Sequence, residues 1–142
     1  MVSENENVLI NQKLGKNYKL CSEKKIASLF KEGKKMHKFP FTAHYLLSSE
    51  SQPTPFQVVI GVPKRNFKKA KDRNHIKRKI KEAIRKNKLN LETLLVKNGL
   101  HLSFFLLYTN KEDLKYDELF KKTDQFLALL IENIKHEQPT KS

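Results

Sequence analysis

At 142 residues the chain has room for one domain with a modest core, because a chain of about 150 residues buries roughly two-thirds of its unfolded surface. Its apolar residues, 38% of the chain, fall in discrete blocks, which excludes a disordered protein, and 29 Lys and Arg against 15 Asp and Glu leave a formal charge of +14. The single cysteine, Cys21, excludes an internal disulfide, no apolar run reaches the ~18 residues of a membrane span, and the acidic start MVSENENVLINQ is unlike a signal peptide, so a cytoplasmic protein with no membrane partner is expected.

Residues 1–17 mix Asn, Glu and Lys without a period and read as a flexible N-terminal extension, residues 18–135 as a single α+β domain, and residues 136–142 as a flexible tail. Ser22 suits the N-cap of a helix over 22–32, with Ile26, Leu29 and Phe30 on one face and Gly33 at its end. From Phe39 to Leu47 the alternation of Phe41, Ala43, Tyr45 and Leu47 with Pro40, Thr42, His44 and Leu46 predicts a strand with two unlike faces. The loop SSESQPTP leads to the apolar run FQVVIGV, a second strand ended by Pro63, and a hairpin is the natural pairing of the two. Asp72 fits the N-cap of a helix reaching about Lys88, with Ile76, Ile80, Ala83 and Ile84 on one stripe. Asn74, Lys77, Arg78, Lys81 and Arg85 fall on the flank, with Arg73 at the border. A short helix over 90–96 closed at Gly99, a buried strand LHLSFFLLY and a long helix from Tyr116 to Ile134 complete the chain. That order predicts an α+β two-layer sandwich of helices on one sheet, mixed if the strands flanking the basic helix run parallel.

The charge is concentrated. Thirteen of the 25 residues from Lys64 to Lys88 are Lys or Arg against two acids, Asp72 and Glu82, while the rest of the chain holds sixteen bases and thirteen acids. Such a segment is the electrostatic footprint of a polyanion-binding surface, in which guanidinium groups pair with phosphates and lysines add point charge. The ordinary alternative, a solvated helix face, calls for compensating acids that are nearly absent here. The rings of Phe39, Phe41, His44 and Tyr45 offer stacking surfaces for unpaired bases, although about half of them belong in the core on strand alternation alone. Catalytic groups are scarce. His37, His44, His75, His101 and His136 lack ligand spacing, Glu112, Asp113, Asp117 and Glu118 suit the start of the last helix, and phosphate-cradling glycine motifs are absent. No metal site or small-molecule substrate is expected of the protein.

The stretch RNFKKAKDRNHIKRKIKEAIR resembles the signature of the bacterial ribonuclease P protein family through Gly61, Val62, Lys64, Arg65, Ala70, Arg73, Asn74, Ile76, Lys77, Arg78, Lys81, Glu82 and Arg85. The upstream helix ending LFKEG and the aromatic strand near Phe41 are similar to the family's opening, and the resemblance spans about residues 19–135. Four positions depart from it: His75 for the third residue of Arg-Asn-Arg, Pro63 for serine, Lys81 for arginine, and Ile26 where the family often has an aromatic residue. The resemblance implies an αβββαβα fold with one mixed sheet and a left-handed crossover, contrary to the usual handedness.

It also implies that catalysis belongs to a large RNA and its magnesium, held mainly by that RNA and the substrate. The protein would bind the catalytic RNA through Lys64, Arg65, Lys69, Arg73, Asn74, Lys77, Arg78, Lys81 and Arg85. Phe30, Phe41 and His44 would line a cleft for the 5′ leader of precursor tRNA. The expected function is therefore a protein subunit promoting endonucleolytic 5′ maturation of tRNA, as part of a ribonucleoprotein. Its rival is a non-enzymatic structured-RNA-binding or ribosome-associated protein. A protein-only nuclease drawing on Glu32, Asp72 and Glu82 has no supporting spacing.

Overall fold

Residues 18–20, 22–49 and 52–137 are described by a computed structural model of the protein. The expectations for Cys21, for the N-terminal extension and for the last five residues lie outside the described residues. Helix α1 spans Glu23–Glu32, and the Ser22 hydroxyl accepts the Lys25 amide at 3.3 Å, as a serine N-cap should. Gly33 ends it for reasons of space. Its backbone is extended, but a Cβ there would sit 2.4 Å from the Leu29 carbonyl oxygen and 3.0 Å from that of Tyr45.

Strands β1 (Lys34–Lys38) and β2 (Phe41–Ser48) then form a hairpin. Strand β3 (Phe56–Gly61) leads through an exposed basic loop to helix α2 (Ala70–Asn87), followed by helix α3 (Leu89–Lys97), strand β4 (His101–Tyr108) and helix α4 (Tyr116–Glu137). The sheet order is β1-β2-β4-β3, with β3 and β4 parallel and the other pairs antiparallel. This is the αβββαβα order with one mixed sheet, with the short helix α3 added between α2 and β4. The expected hairpin between β2 and β3 is not formed, because β4 inserts between them and pairs with both. The hairpin partner of β2 is β1, whose five residues KKMHK bury only Met36.

One sheet face carries Phe41, Ala43 and Tyr45 of β2, Phe104, Leu106 and Tyr108 of β4, and Phe56 and Val58 of β3, all buried. Against it pack Ile76, Ile80 and Ile84 of α2, Leu91 and Leu95 of α3, and Phe126, Leu130 and Ile134 of α4. Each such side chain contributes roughly 1.5–3 kcal/mol by leaving water. Helix α1 crosses the opposite face, where Phe30 meets His44 and Phe105, so part of the sheet is covered on both sides.

Helix α2 begins three residues earlier than a cap at Asp72 would allow. Lys69 is its N-cap and makes no side-chain capping bond, while Asp72 sits in the first turn, where its charge complements the helix dipole. The loop is fastened instead by Arg73, which donates from Nη1 to the carbonyls of Phe67 and Lys68, 2.9 Å each. Among the described residues no helix is long and apolar enough to cross a membrane.

Candidate nucleic-acid interface

Burial of Ile76, Ile80, Ala83 and Ile84 fixes the rotation of α2, and this turns Asn74, Lys77, Arg78 and Lys81 toward the free edge of the sheet. They form one wall of a groove of about 430 Å³ whose other wall is Tyr18, Lys19, Val58, Val59 and Ile60. Among the described residues, ion pairs on α2 engage His75 and Lys79 with Asp113, and Arg85 and Lys86 with Glu82, but none reaches Lys77, Arg78 or Lys81. The α2 wall therefore presents three cations without an ion-pair partner among the described residues, and one amide, and Lys19 adds a fourth cation from the other wall.

The remaining candidates divide by what they touch. Lys64, Arg65 and Lys69 are exposed on the loop before α2. Arg73 braces that loop, as above. Arg85 meets Glu82 through two bonds, Nε at 2.9 Å and Nη2 at 2.6 Å, and this pairing draws the Glu82 carboxyl below its usual range. Lys88, counted in the basic segment by sequence, is buried: its ammonium lies 3.0 Å from Glu92, 3.3 Å from the Tyr18 hydroxyl and 4.9 Å from the Tyr18 ring centroid. Tyr18 donates to Glu92 at 2.5 Å, and burial, with the adjacent carboxylate, pushes its pKa well up. This cluster anchors the groove's Tyr18 wall to the start of α3.

A second surface lies on the sheet face crossed by α1. Phe30 is 50% exposed, and its ring centroid is 4.7 Å from that of His44 and 5.1 Å from that of Phe105. Gly61 permits this arrangement, since a Cβ there would meet the Phe105 ring at 2.9 Å. Burial lowers the His44 pKa, with repulsion from Lys35 adding to it, so the ring is neutral near pH 7. Phe41 does not belong to this surface. It lies on the opposite face, fully buried, with its ring 5.4 Å from that of Phe126, because residues 41 and 44 fall on opposite sides of one strand. Phe105, read from sequence as part of a uniformly buried strand, takes its place. It is the register partner of His44, a relation that appears only once β4 is paired.

Glu82 is held by Arg85 and Lys86, and among the described residues no group of three His, Cys, Asp or Glu could hold a metal ion. The groove's cationic wall likewise does not fit a divalent cation.

The geometry defines a class: a single-sheet α+β protein with a cationic groove beside a partly open, ring-bearing sheet face, suited to a polyanion with flat bases. The Ribonuclease P family model matches residues 14–130, and the chain belongs to that family. It is 29% identical over 99 residues to the ribonuclease P protein component of Porphyromonas gingivalis strain ATCC 33277, covering 70% of this chain and 72% of that one, and equally to that of strain W83. The structure of the Staphylococcus aureus RNase P protein matches with a TM-score of 0.64 at 19% identity, over 81% of this chain and 96% of that chain. The Thermotoga maritima RNase P protein matches with a TM-score of 0.60 at 21% identity, over 80% and 96% respectively.

Proposed function

We propose that this protein is the protein subunit of a ribonuclease P ribonucleoprotein, and that it promotes removal of the 5′ leader from precursor tRNA. The observation that carries the reading is the uncompensated wall of Lys77, Arg78 and Lys81, with Asn74, on a chain of this family. In this reading Lys64, Arg65 and Lys69 extend the cationic surface along the loop, and together these groups neutralise phosphates of the catalytic RNA. Arg73 and Arg85 act first as braces of the loop and helix, and their positive charge adds to the surface offered to phosphate. Phe30, His44 and Phe105 provide stacking surface for unpaired leader bases. The cleavage chemistry and its magnesium belong to the RNA partner and the substrate; no step is routed through protein side chains.

The test is 5′ cleavage of a precursor tRNA at low magnesium by the protein alone, by the catalytic RNA alone, and by both. Strong cleavage by the mixture only is expected. RNA binding without enhancement, using a catalytic RNA active at high magnesium, would identify a structural RNA-binding protein instead.

A further inference from the structure

Phe39 belongs neither to the core nor to the two surfaces described above. Its side chain is 53% exposed, and it meets no other ring among the described residues. A lone exposed apolar side chain is ordinary on a protein surface, so its setting decides whether it has a use. Phe39 sits in the turn between β1 and β2, at one end of the sheet. Register puts Lys38, Phe41 and Tyr108 in one row there, with Gly61 beside Leu107 one step back. The β1–β2 turn, the loop after β4 and the basic loop after β3 therefore all leave the sheet at this end.

The three segments are tied to one another. Thr109 donates to the Pro40 carbonyl from its amide at 2.8 Å and from its hydroxyl at 3.0 Å. The Tyr108 ring centroid lies 6.2 Å from that of Phe67, and its hydroxyl donates to the Glu112 carbonyl at 2.5 Å. Arg73 in turn holds the Phe67 and Lys68 carbonyls. The turn carrying Phe39 is thus fixed relative to the basic loop, and a ring on a fixed backbone loses little freedom when it binds. Charge on this end is one-sided. Lys38, Lys64, Arg65, Lys68, Lys69 and Lys111 are exposed, and no ion pair among the described residues reaches them. The acids of the same segments are Glu112 and Asp113, and Asp113 is engaged by Lys79. From Lys38 to the start of the basic loop is three strand spacings, about 14 Å, so these cations cover a broad surface rather than a pocket. Such a surface with one free aromatic face suits a folded RNA, its phosphates on the lysines and one accessible base against the ring. An acidic protein segment would satisfy the charge but has no use for the flatness of the ring.

We infer that Phe39 is a stacking anchor for one accessible base of the catalytic RNA, on a docking surface that continues the basic loop across the end of the sheet to the β1–β2 turn; this rests on the proposed function in taking that RNA as the partner of the basic loop. Phe39 lines neither the groove nor the Phe30 platform, so the surface is separate from both.

Full-length parent protein and variants are titrated with the catalytic RNA and, separately, with a single-stranded RNA of leader sequence, over a range of salt. Phe39→Ala should weaken binding of the catalytic RNA roughly tenfold at an unchanged salt slope, because stacking releases no counterions. Phe39→Tyr, which keeps the ring, should bind like the parent, and Phe39→Leu, apolar but not flat, like Phe39→Ala. Lys38→Ala and Lys111→Ala should each lower the slope of log K against log salt by about 0.7–0.9. Binding of the leader strand should be unchanged in the Phe39 variants. Since the ring is half exposed, thermal unfolding of these variants should match the parent, and if Phe39→Ala does not fold, the comparison of Leu with Tyr decides. Parental affinity in Phe39→Ala would overturn the inference. Parental affinity in Phe39→Leu would also overturn it, by reducing the contact to a general apolar one such as a protein partner offers. An equal loss for the leader strand would overturn it by giving the ring to the leader, and unchanged slopes in both lysine variants would overturn the extension beyond the basic loop. A parent protein that binds no catalytic RNA would overturn the subunit reading as well, whereas parental binding and cleavage enhancement with an indifferent Phe39→Ala would overturn this inference alone.

Discussion

Phe30 and Phe41 show what one residue's position on the sheet decides. Phe41 is fully buried against Phe126 and Tyr108, so Phe41→Ala should destabilise the protein by about 3–5 kcal/mol in urea unfolding, as ring deletion from a packed core does. Phe30→Ala removes a half-exposed ring, and the expected change is much smaller in stability but clear in the preference for leader-bearing over leaderless substrate. Equal loss of both substrates would remove Phe30 from the leader surface. His44 adds a pH dependence whose sign is fixed by its lowered pKa. The unfolded chain takes up the proton more readily than the folded one, so the stabilisation is present above the unfolded value of about 6.5 and declines as pH falls through the folded value. Thermal unfolding of His44→Gln between pH 7 and 5 should therefore show a smaller acid-side fall than the parent protein.

At the scale of elements, α2 trades stability for charge at its N-cap. Lys69 occupies the N-cap without a capping bond, where Ser, Asp or Asn would satisfy an orphan amide. Lys69→Ser should gain about 1 kcal/mol in unfolding free energy while weakening RNA binding and flattening its salt dependence; unchanged stability would mean that the loop tied by Arg73 already satisfies the helix start. The sequence pointed to Asp72 as cap because nothing local records that Arg73 folds back on Phe67 and Lys68. The amphipathic stripe of Ile76, Ile80, Ala83 and Ile84 was readable, since burial on one helix face leaves a 3.6-residue period. Strand β1 was not, because an edge strand with one buried residue leaves no alternation to read. The strand-helix-strand order already suggests the parallel pairing of β3 with β4, but the insertion of β4 beside β2 depends on contacts distant in the chain, and with it goes the placing of Phe105 beside His44.

For the whole molecule, concentrating +11 of the +14 charge into 25 residues sets two salt dependences of opposite sign. In the free protein the cations of the loop and α2 repel one another, and the pairs with Glu82 and Asp113 relieve only part of this. Screening with a Debye length of about 10 Å at 0.1 M salt weakens that repulsion, so the melting temperature of the free protein should rise between 50 and 500 mM NaCl. RNA affinity should fall over the same range, because binding releases counterions from phosphate. Arg78→Ala tests whether both trends arise at one surface. Losing one phosphate contact should lower the slope of log K against log salt by about 0.7–0.9, and losing one repelling charge should also reduce the salt-induced gain in melting temperature. An unchanged binding slope would take Arg78 off the phosphate contacts. A reduced binding slope with an unaltered melting trend would locate the self-repulsion elsewhere, on the exposed loop of Lys64, Arg65, Lys68 and Lys69 rather than along the groove.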